Sequence, residues 1–161
     1  FLHFPVDNSF VMLASEDRDL EIAIDYLTKG SKIYPESSRW SRFLGNVYRA
    51  QGDLEKALAA YEESIELIEK NEGKKPGPYG NSLLMVGHVN TFLGDYEKAR
   101  DTYDQGITIS NNVWKVYMHT YKSHTYMYQK DFASAVRYLS ELQEEIKTIL
   151  NEYELRSRHQ K

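Results

Sequence analysis

The chain has 161 residues, of which 41% are apolar and 27% are charged, which is enough for one ordinary domain with a core. Its net charge of −4 provides no strong field for nucleic acid or an anionic membrane, and the absence of cysteine excludes disulfides and zinc–thiolate sites. No apolar run approaches the roughly 20 residues that span a bilayer. We therefore expect no membrane insertion and no nucleic-acid partner. No signal peptide pattern is present, and the cytoplasm is favoured as the compartment.

A ten-residue phrase occurs four times in the chain. The closest copies are GDLEKALAAY at 52–61 and GDYEKARDTY at 94–103, with weaker copies at 18–27 and 130–139. The aspartates that they share are spaced by 34, 42 and 36 residues: Asp19, Asp53, Asp95 and Asp131. A repeat of this length predicts a solenoid of stacked units, and solenoids usually bind rather than catalyse.

The first unit, residues 4–37, is regular only in its second half. Ala23, Leu27 and Gly30 recur at helical spacing, and Pro35 follows them. The first half, around residues 7–14, has an irregular pattern. An irregular first helix is expected in a terminal repeat, because one of its faces has no neighbouring repeat to pack against.

The second unit, residues 38–71, shows the pattern most clearly. Apolar residues at three- and four-residue steps predict one helix up to Gly52–Asp53 and a second helix after it. Gly52 provides a permissive backbone for the turn, and Asp53 can cap the next helix. The two stripes are Trp40, Phe43, Leu44, Val47 and Tyr48, and then Leu54, Ala57, Leu58, Tyr61, Ile65 and Ile68.

The segment after the second unit is rich in Gly and Pro, and it accounts for the longer spacing of 42 residues. We predict a linker over residues 72–79, either as a lengthened surface loop or as a functional loop at the rim of a groove.

The third and fourth units cover residues 80–113 and 116–149. Both units resemble the tetratricopeptide repeat, a family that prefers large, aliphatic, small and aromatic residues at fixed positions. The residues that match this pattern in the third unit are Leu83, Val86, Gly87, Ala99, Tyr103 and Gly106, with Asn90 as a departure. In the fourth unit they are Ser123, Tyr126 and Ala135, with Leu139 at the aromatic position and His119 and Lys122 as departures. The last helix is expected to continue as an extension over 150–161, either as a polar cap or as a basic partner-binding tail.

These units resemble the tetratricopeptide repeat, whose unit is a pair of antiparallel helices. The resemblance implies an all-α fold: a right-handed α-solenoid of about four repeats in a single domain, 1–161. Small residues on first helices are expected to face small residues on second helices because the helices approach closely: Gly45, Gly87 and Ser123 against Ala57, Ala99 and Ala135.

The family's register also predicts which side chains line the concave groove. The candidates are Arg39, Arg42, Asn46, Arg49, Asn81, His88, Tyr117, Tyr121, His124 and Tyr128. Such a surface is either an ordinary solvated face or a site for an acidic or C-terminal peptide, with Arg forks meeting carboxylates. The two-carboxylate clamp of some relatives is predicted to be absent, since only Arg42 and Asn46 of its five positions match.

No enzyme motif is present, and we expect no catalytic residue, cofactor or metal. His88 and His124 without a nearby carboxylate would make a poor metal site, and His119 is expected to be an interior or inter-helix histidine. The main hypothesis is a protein-interaction scaffold that binds a peptide or helix. The alternatives are a self-association domain, which would make a homo-oligomer, and the regulatory domain of a larger enzyme or transcription regulator.

Overall fold

The computed structural model describes residues 17–74, 76–109 and 112–158. Every secondary-structure element in these ranges is helical, so the predicted all-α class is confirmed. The predicted irregular first helix, around residues 7–14, and the end of the basic tail lie outside the described residues. Among the described residues, no helix combines the length and the apolar character needed to span a bilayer.

The chain divides into two compact units at Gly73–Lys74, called here unit 1 and unit 2. In unit 1, helix α1 covers Asp17–Ile33, α2 covers Ser38–Gln51 and α3 covers Leu54–Leu67, and a π-helical turn follows at Ile68–Glu72. Helix α1 packs on α2, and α2 packs on α3. Leu20, Leu27 and Val47 are the buried centre of the α1–α2 contact.

In unit 2, α4 covers Pro76–Leu93, α5 covers Tyr96–Ile109, α6 covers Asn112–Tyr128 and α7 covers Phe132–Arg158. Each helix packs on the next, and α4 also contacts α6. This last contact places the first helices of two successive predicted repeats side by side, which is the arrangement of a helical repeat.

The turns between paired helices share one hydrogen-bond pattern. In the α2–α3 turn the Gly52 amide donates to the Arg49 carbonyl, and the Asp53 amide donates to the Tyr48 carbonyl. The same two bonds recur in the turns at residues 94–95 and 130–131. This is a Schellman motif, which needs a left-handed backbone at its first residue. Gly52 and Gly94 have φ of 83° and 84°, whereas Lys130 has φ of 64° without being glycine.

The aspartate that closes each turn also begins the next helix. The side chains of Asp53, Asp95 and Asp131 accept from backbone amides three residues later, at 3.2, 3.3 and 3.0 Å. The predicted role of the Gly–Asp pair is therefore confirmed in the α2–α3 turn, and the aspartate cap is repeated in both turns of unit 2.

The seam inside each helix pair differs from the prediction. A Cβ built on Gly45 would lie 2.6 Å from the Tyr61 ring, and one built on Gly87 would collide with the Tyr103 ring. The glycines therefore meet tyrosine rings rather than Ala57 and Ala99 as their nearest neighbours. The tyrosines lie one helical turn after those alanines, and their larger side chains reach across to the facing helix.

The predicted linker over 72–79 is shorter in the structure. The π-helical turn continues to Glu72 and α4 already begins at Pro76, four residues before the predicted start at Gly80. Proline disrupts the interior of a helix, but in the first turn its missing N–H has no intrahelical acceptor to lose. Pro76 and Pro78 are both compatible with that position.

Candidate functional site

Four predicted groove residues come together in unit 2, on the faces of α4 and α6. The His88 ring lies 4.7 Å from the Tyr121 ring, and the Tyr121 ring lies 5.4 Å from the His124 ring in an edge-on contact. His88 also stacks on Phe92 at 5.3 Å, and Phe92 meets Tyr128 at 5.8 Å. We call these five residues the aromatic cluster: His88, Phe92, Tyr121, His124 and Tyr128.

The helical period explains why these residues meet. Phe92 lies four residues after His88 on α4, and Tyr121, His124 and Tyr128 lie at three- and four-residue steps on α6. Since α4 packs against α6, the two stripes face each other. The register from the family missed Phe92, although its spacing from His88 is a signal that was available in the sequence.

The aromatic cluster changes from buried to exposed along the two helices. His88 is only 5% exposed, whereas Phe92 is 46% exposed and Tyr128 is 44% exposed. The Tyr121 ring stacks on the ring of Tyr103 at 6.4 Å, and Tyr103 is itself fully buried. Rigid rings with one open face provide contact area at low cost in conformational entropy.

The two helices that carry the aromatic cluster have few charged residues. Helix α4 has no Asp, Glu, Lys or Arg, and α6 has only Lys115 and Lys122. Lys122 is largely buried and its Nζ donates at 2.6 Å to both carboxylate oxygens of Asp104 on α5. Burial lowers the pKa of His124 below its ordinary value of 6.5, which favours the neutral imidazole at pH 7.

Asn81 and Tyr117, the other two predicted groove residues of unit 2, are half-buried. Tyr117 makes a tilted ring contact at 5.9 Å with Trp114, one turn earlier on α6. Neither residue contributes a described ring contact to the aromatic cluster. Their predicted role in binding stays a prediction.

The predicted groove residues of unit 1, three arginines and one asparagine, all lie on α2 but differ in exposure. Arg39 is exposed, whereas Arg42, Asn46 and Arg49 are half-buried. The Tyr61 hydroxyl donates to Asn46 Oδ1 at 2.7 Å. Burial raises the pKa of Tyr61, and the positive charges of Arg49 and Arg42 partly oppose that rise. Asn46 therefore satisfies the hydroxyl of a buried tyrosine.

His119, predicted to be an inter-helix histidine, lies between α6 and α7. Its Nδ1 is 2.9 Å from the Tyr138 hydroxyl, and its Nε2 is 4.0 Å from a Glu145 oxygen. Burial lowers the pKa of His119, and the Glu145 carboxylate partly offsets this effect. Among the described residues no group of three or more His, Asp or Glu side chains is placed to hold a metal ion.

The cavity found in unit 1 is not lined by any predicted groove residue. It has a volume of about 510 Å³ and is widely open to solvent. Its lining consists of Ile33, Tyr34, Pro35, Glu36, Ser37 and Asn71. The Asn71 side-chain amide donates to the Glu36 carbonyl at 3.0 Å, which joins two of the lining residues.

Comparison with known protein families agrees with this repeated geometry. Residues 37–112 match the family model of the tetratricopeptide repeat. These residues are tetratricopeptide repeats. The predicted family is thus confirmed on α2 to α5, the helices that carry the two strongest copies of the phrase. Tetratricopeptide repeats are, in general, protein-binding modules without catalytic activity of their own.

Comparison with solved structures gives the same fold. The crystal structure of BtubC (BKLC) from P. vanneervenii is similar, with a TM-score of 0.68 and 15% sequence identity. The similarity covers 82% of this chain but 58% of that chain, so the chain spans less than two thirds of that protein's length. No curated protein matches the sequence.

Proposed function

We propose that this tetratricopeptide repeat protein is a scaffold without catalysis that binds a peptide or helical segment of a partner in its predicted groove. The observation that carries the proposal is the aromatic cluster of unit 2. Phe92 and Tyr128 leave nearly half of their surface in water, although Phe92 stacks on buried His88 and Tyr128 contacts Phe92. Aromatic rings held in this way are typical of the residues that dominate binding energy at protein interfaces.

The α2 surface of unit 1 supports a second part of the same proposal. Arg39 is exposed and Arg42 is half-buried, with its guanidinium 4.9 Å above the Phe43 ring. A planar guanidinium can form two parallel hydrogen bonds with a carboxylate. We expect this surface to favour an acidic segment or a chain terminus, and we treat it separately from the aromatic cluster.

Selection from a displayed peptide library, followed by calorimetry with the selected peptides, tests the proposal. Tyr121→Ala should weaken binding to the aromatic cluster by tenfold or more, about 1.4 kcal/mol, because hot-spot aromatics contribute at least that much. Arg42→Ala should do the same for acidic peptides on α2. Tyr26→Ala is the matched control, since Tyr26 lies on α1 and is 70% exposed.

Two results would contradict this assignment. One is unchanged affinity of every selected peptide for both variants while their helical circular dichroism is preserved. The other is an equal loss of affinity in Tyr26→Ala, which would place the binding surface elsewhere on the protein.

Self-association is a second candidate function, and α7 carries the observation that favours it. On α5, Tyr96 and Arg100 contact the end of α6: the Tyr96 hydroxyl reaches the Tyr128 carbonyl at 3.5 Å, and Arg100 bonds Gln129 at 3.0 Å. The residues 36 positions later, Phe132 and Val136 on α7, are apolar and 61% and 65% exposed. A position that packs against a helix in one repeat is therefore open in the next.

Sedimentation at several concentrations tests self-association. If α7 pairs with a second copy, the sedimentation coefficient should rise with concentration, and Val136→Glu should abolish the rise because it places a charge on an apolar contact. Thr148→Glu adds the same charge at an exposed position about 120° around α7 from Val136 and should have little effect. A protein that is monomeric at all concentrations would exclude this function.

A further inference from the structure

The last turns of α4 and α6 end next to each other through Phe92 and Tyr128. Their ring centroids are 5.8 Å apart and the ring planes are inclined by 65°, so the face of one ring meets the edge of the other. Leu93 and Met127, their neighbours in sequence, are 38% and 46% exposed. Four exposed apolar side chains therefore lie in the last turns of α4 and α6, and the two rings among them are in contact.

The electrostatics at this end favour a positive guest. The face of an aromatic ring carries the negative part of its quadrupole and attracts cations. The C-terminal end of a helix has a partial negative charge, and neither α4 nor α6 has a basic residue in its last turn to offset that charge. Two cations lie near this end. Lys130, in the turn after α6, is exposed, so solvent and salt screen its charge. Arg100 on α5 donates to the Gln129 side chain at 3.0 Å and lies 4.8 Å from the Tyr126 ring, so it is already paired with groups other than Phe92 and Tyr128.

We propose that Phe92 and Tyr128 form a subsite for a cationic side chain, a lysine or arginine, of the bound partner segment. This proposal rests on the proposed function, because it names the chemistry of a guest on the aromatic cluster. The cation would lie over a ring face that the His88–Phe92 stack and the Phe92–Tyr128 contact leave open. Its methylene stem would extend along neighbouring apolar surface, as long charged side chains do. The subsite would thus take a positively charged group, whereas the arginines of α2 suit a carboxylate.

A probe of known chemistry tests the subsite in the full chain. Tetramethylammonium is compared with tert-butanol, a neutral molecule of similar shape, at constant ionic strength, and the Phe and Tyr ring resonances are followed by NMR. The ring signals of Phe92 and Tyr128 should move on addition of tetramethylammonium. The apparent dissociation constant should be about two- to fivefold lower for the cation than for tert-butanol, the range of an exposed cation–π contact.

Phe92→Leu separates the ring's charge distribution from its apolar bulk. Leucine keeps an apolar side chain but has no ring quadrupole. The dissociation constants of tetramethylammonium and tert-butanol, followed through the Tyr128 ring signals, should therefore become more nearly equal. Phe132→Leu is the control, since Phe132 on α7 is 61% exposed and lies outside the aromatic cluster. It should leave the preference unchanged.

Three outcomes would overturn the subsite: no shift of the two ring signals with tetramethylammonium, equal affinity for the two probes, or a preference that survives Phe92→Leu. None of these would overturn the proposed function, which is tested by the loss of peptide binding in Tyr121→Ala. If selected peptides bind the aromatic cluster, replacing their lysines by norleucine should weaken binding by the same two- to fivefold factor.

Discussion

Gly45 and Gly87 lie inside helices, where glycine is about 1 kcal/mol less favourable than alanine. The structure shows why they are there, since in each case a buried tyrosine ring occupies the space of a Cβ. Tyr61 and Tyr103 are 0% and 1% exposed and cannot move into water without leaving a cavity. The close approach of the paired helices therefore depends on these two glycine–tyrosine contacts.

We predict that Gly87→Ala lowers the free energy of unfolding by about 1–3 kcal/mol, because overpacking against the Tyr103 ring outweighs the better helix propensity of alanine. Urea denaturation followed by circular dichroism measures the change. Gly77→Ala is the control: Gly77 is also in α4, but apart from its chain neighbours nothing lies within 4 Å of its Cβ position. That substitution should change the free energy of unfolding by less than about 1 kcal/mol, because the better helix propensity of alanine is opposed by the restriction that Pro78 places on the residue before it. A stable Gly87→Ala protein would contradict the steric account.

Residue patterns predicted the type of contact at these glycines but not its partner. Glycine inside a helix indicates a close approach, and that interpretation needs only propensity. Which side chain lies against the glycine depends on the crossing angle and the offset of the two helices. Neither quantity can be read from the residue pattern of one sequence. Phe92 was missed for a related reason: the family register lists average groove positions, whereas the His88–Phe92 stack depends on the local spacing of four residues.

At the scale of elements, the turns were the most predictable part of the fold. Schellman bonds and aspartate caps are local chemistry, and the Gly–Asp pair encodes both within two residues. The Gly–Pro segment after Asn71 was less predictable, because proline breaks a helix interior but suits its first turn. The sequence alone did not show which of these applied to Pro76.

The α6–α7 turn leads to a second prediction. Lys130 has φ of 64°, a left-handed conformation that costs an L residue with a Cβ roughly 1–2 kcal/mol. Lys130→Gly should therefore stabilise the protein by about 0.5–1 kcal/mol after the entropy cost of glycine is subtracted. Thermal and urea unfolding would both detect this.

The matched variant for this turn is Gly94→Ala in the α4–α5 turn. Gly94 has φ of 84° and nothing within 4 Å of its Cβ position, so any loss would come from the backbone conformation alone. We expect a loss of about 1 kcal/mol. If Lys130→Gly destabilises and Gly94→Ala is neutral, the left-handed backbone is not a significant cost in these turns.

At the scale of the whole molecule, buried His119 and half-buried His124 are expected to make stability depend on pH. Burial lowers the pKa of both His119 and His124 below the ordinary value of 6.5. Above pH 6.5 both groups are neutral in the folded and unfolded states, and the full stability is present. As the pH falls below 6.5, the unfolded chain binds protons first, so the free energy of unfolding decreases until the lower folded pKa values are reached.

We predict a lower urea midpoint at pH 5 than at pH 7.5, with part of the difference removed by His119→Gln and part by His124→Gln. The carboxylates of Asp53 and Asp131 do not confound this window, because their hydrogen bonds lower the pKa of each below 3.8. Their contribution is lost only at more acidic pH. An unchanged pH dependence in the double variant would show that these histidines do not titrate differently on unfolding.

The π-helical turn at Ile68–Glu72 has a consequence for insertions and deletions. Such a turn holds one more residue than an α-helical turn, so deleting a single residue such as Lys70 would return it to α geometry. Each residue of an α-helix advances the chain by about 100°. The deletion would therefore turn Asn71 away from the Glu36 carbonyl that it now reaches at 3.0 Å. The number of residues in this segment, more than their identity, therefore decides whether the Asn71–Glu36 hydrogen bond can join the end of unit 1 to the α1–α2 turn.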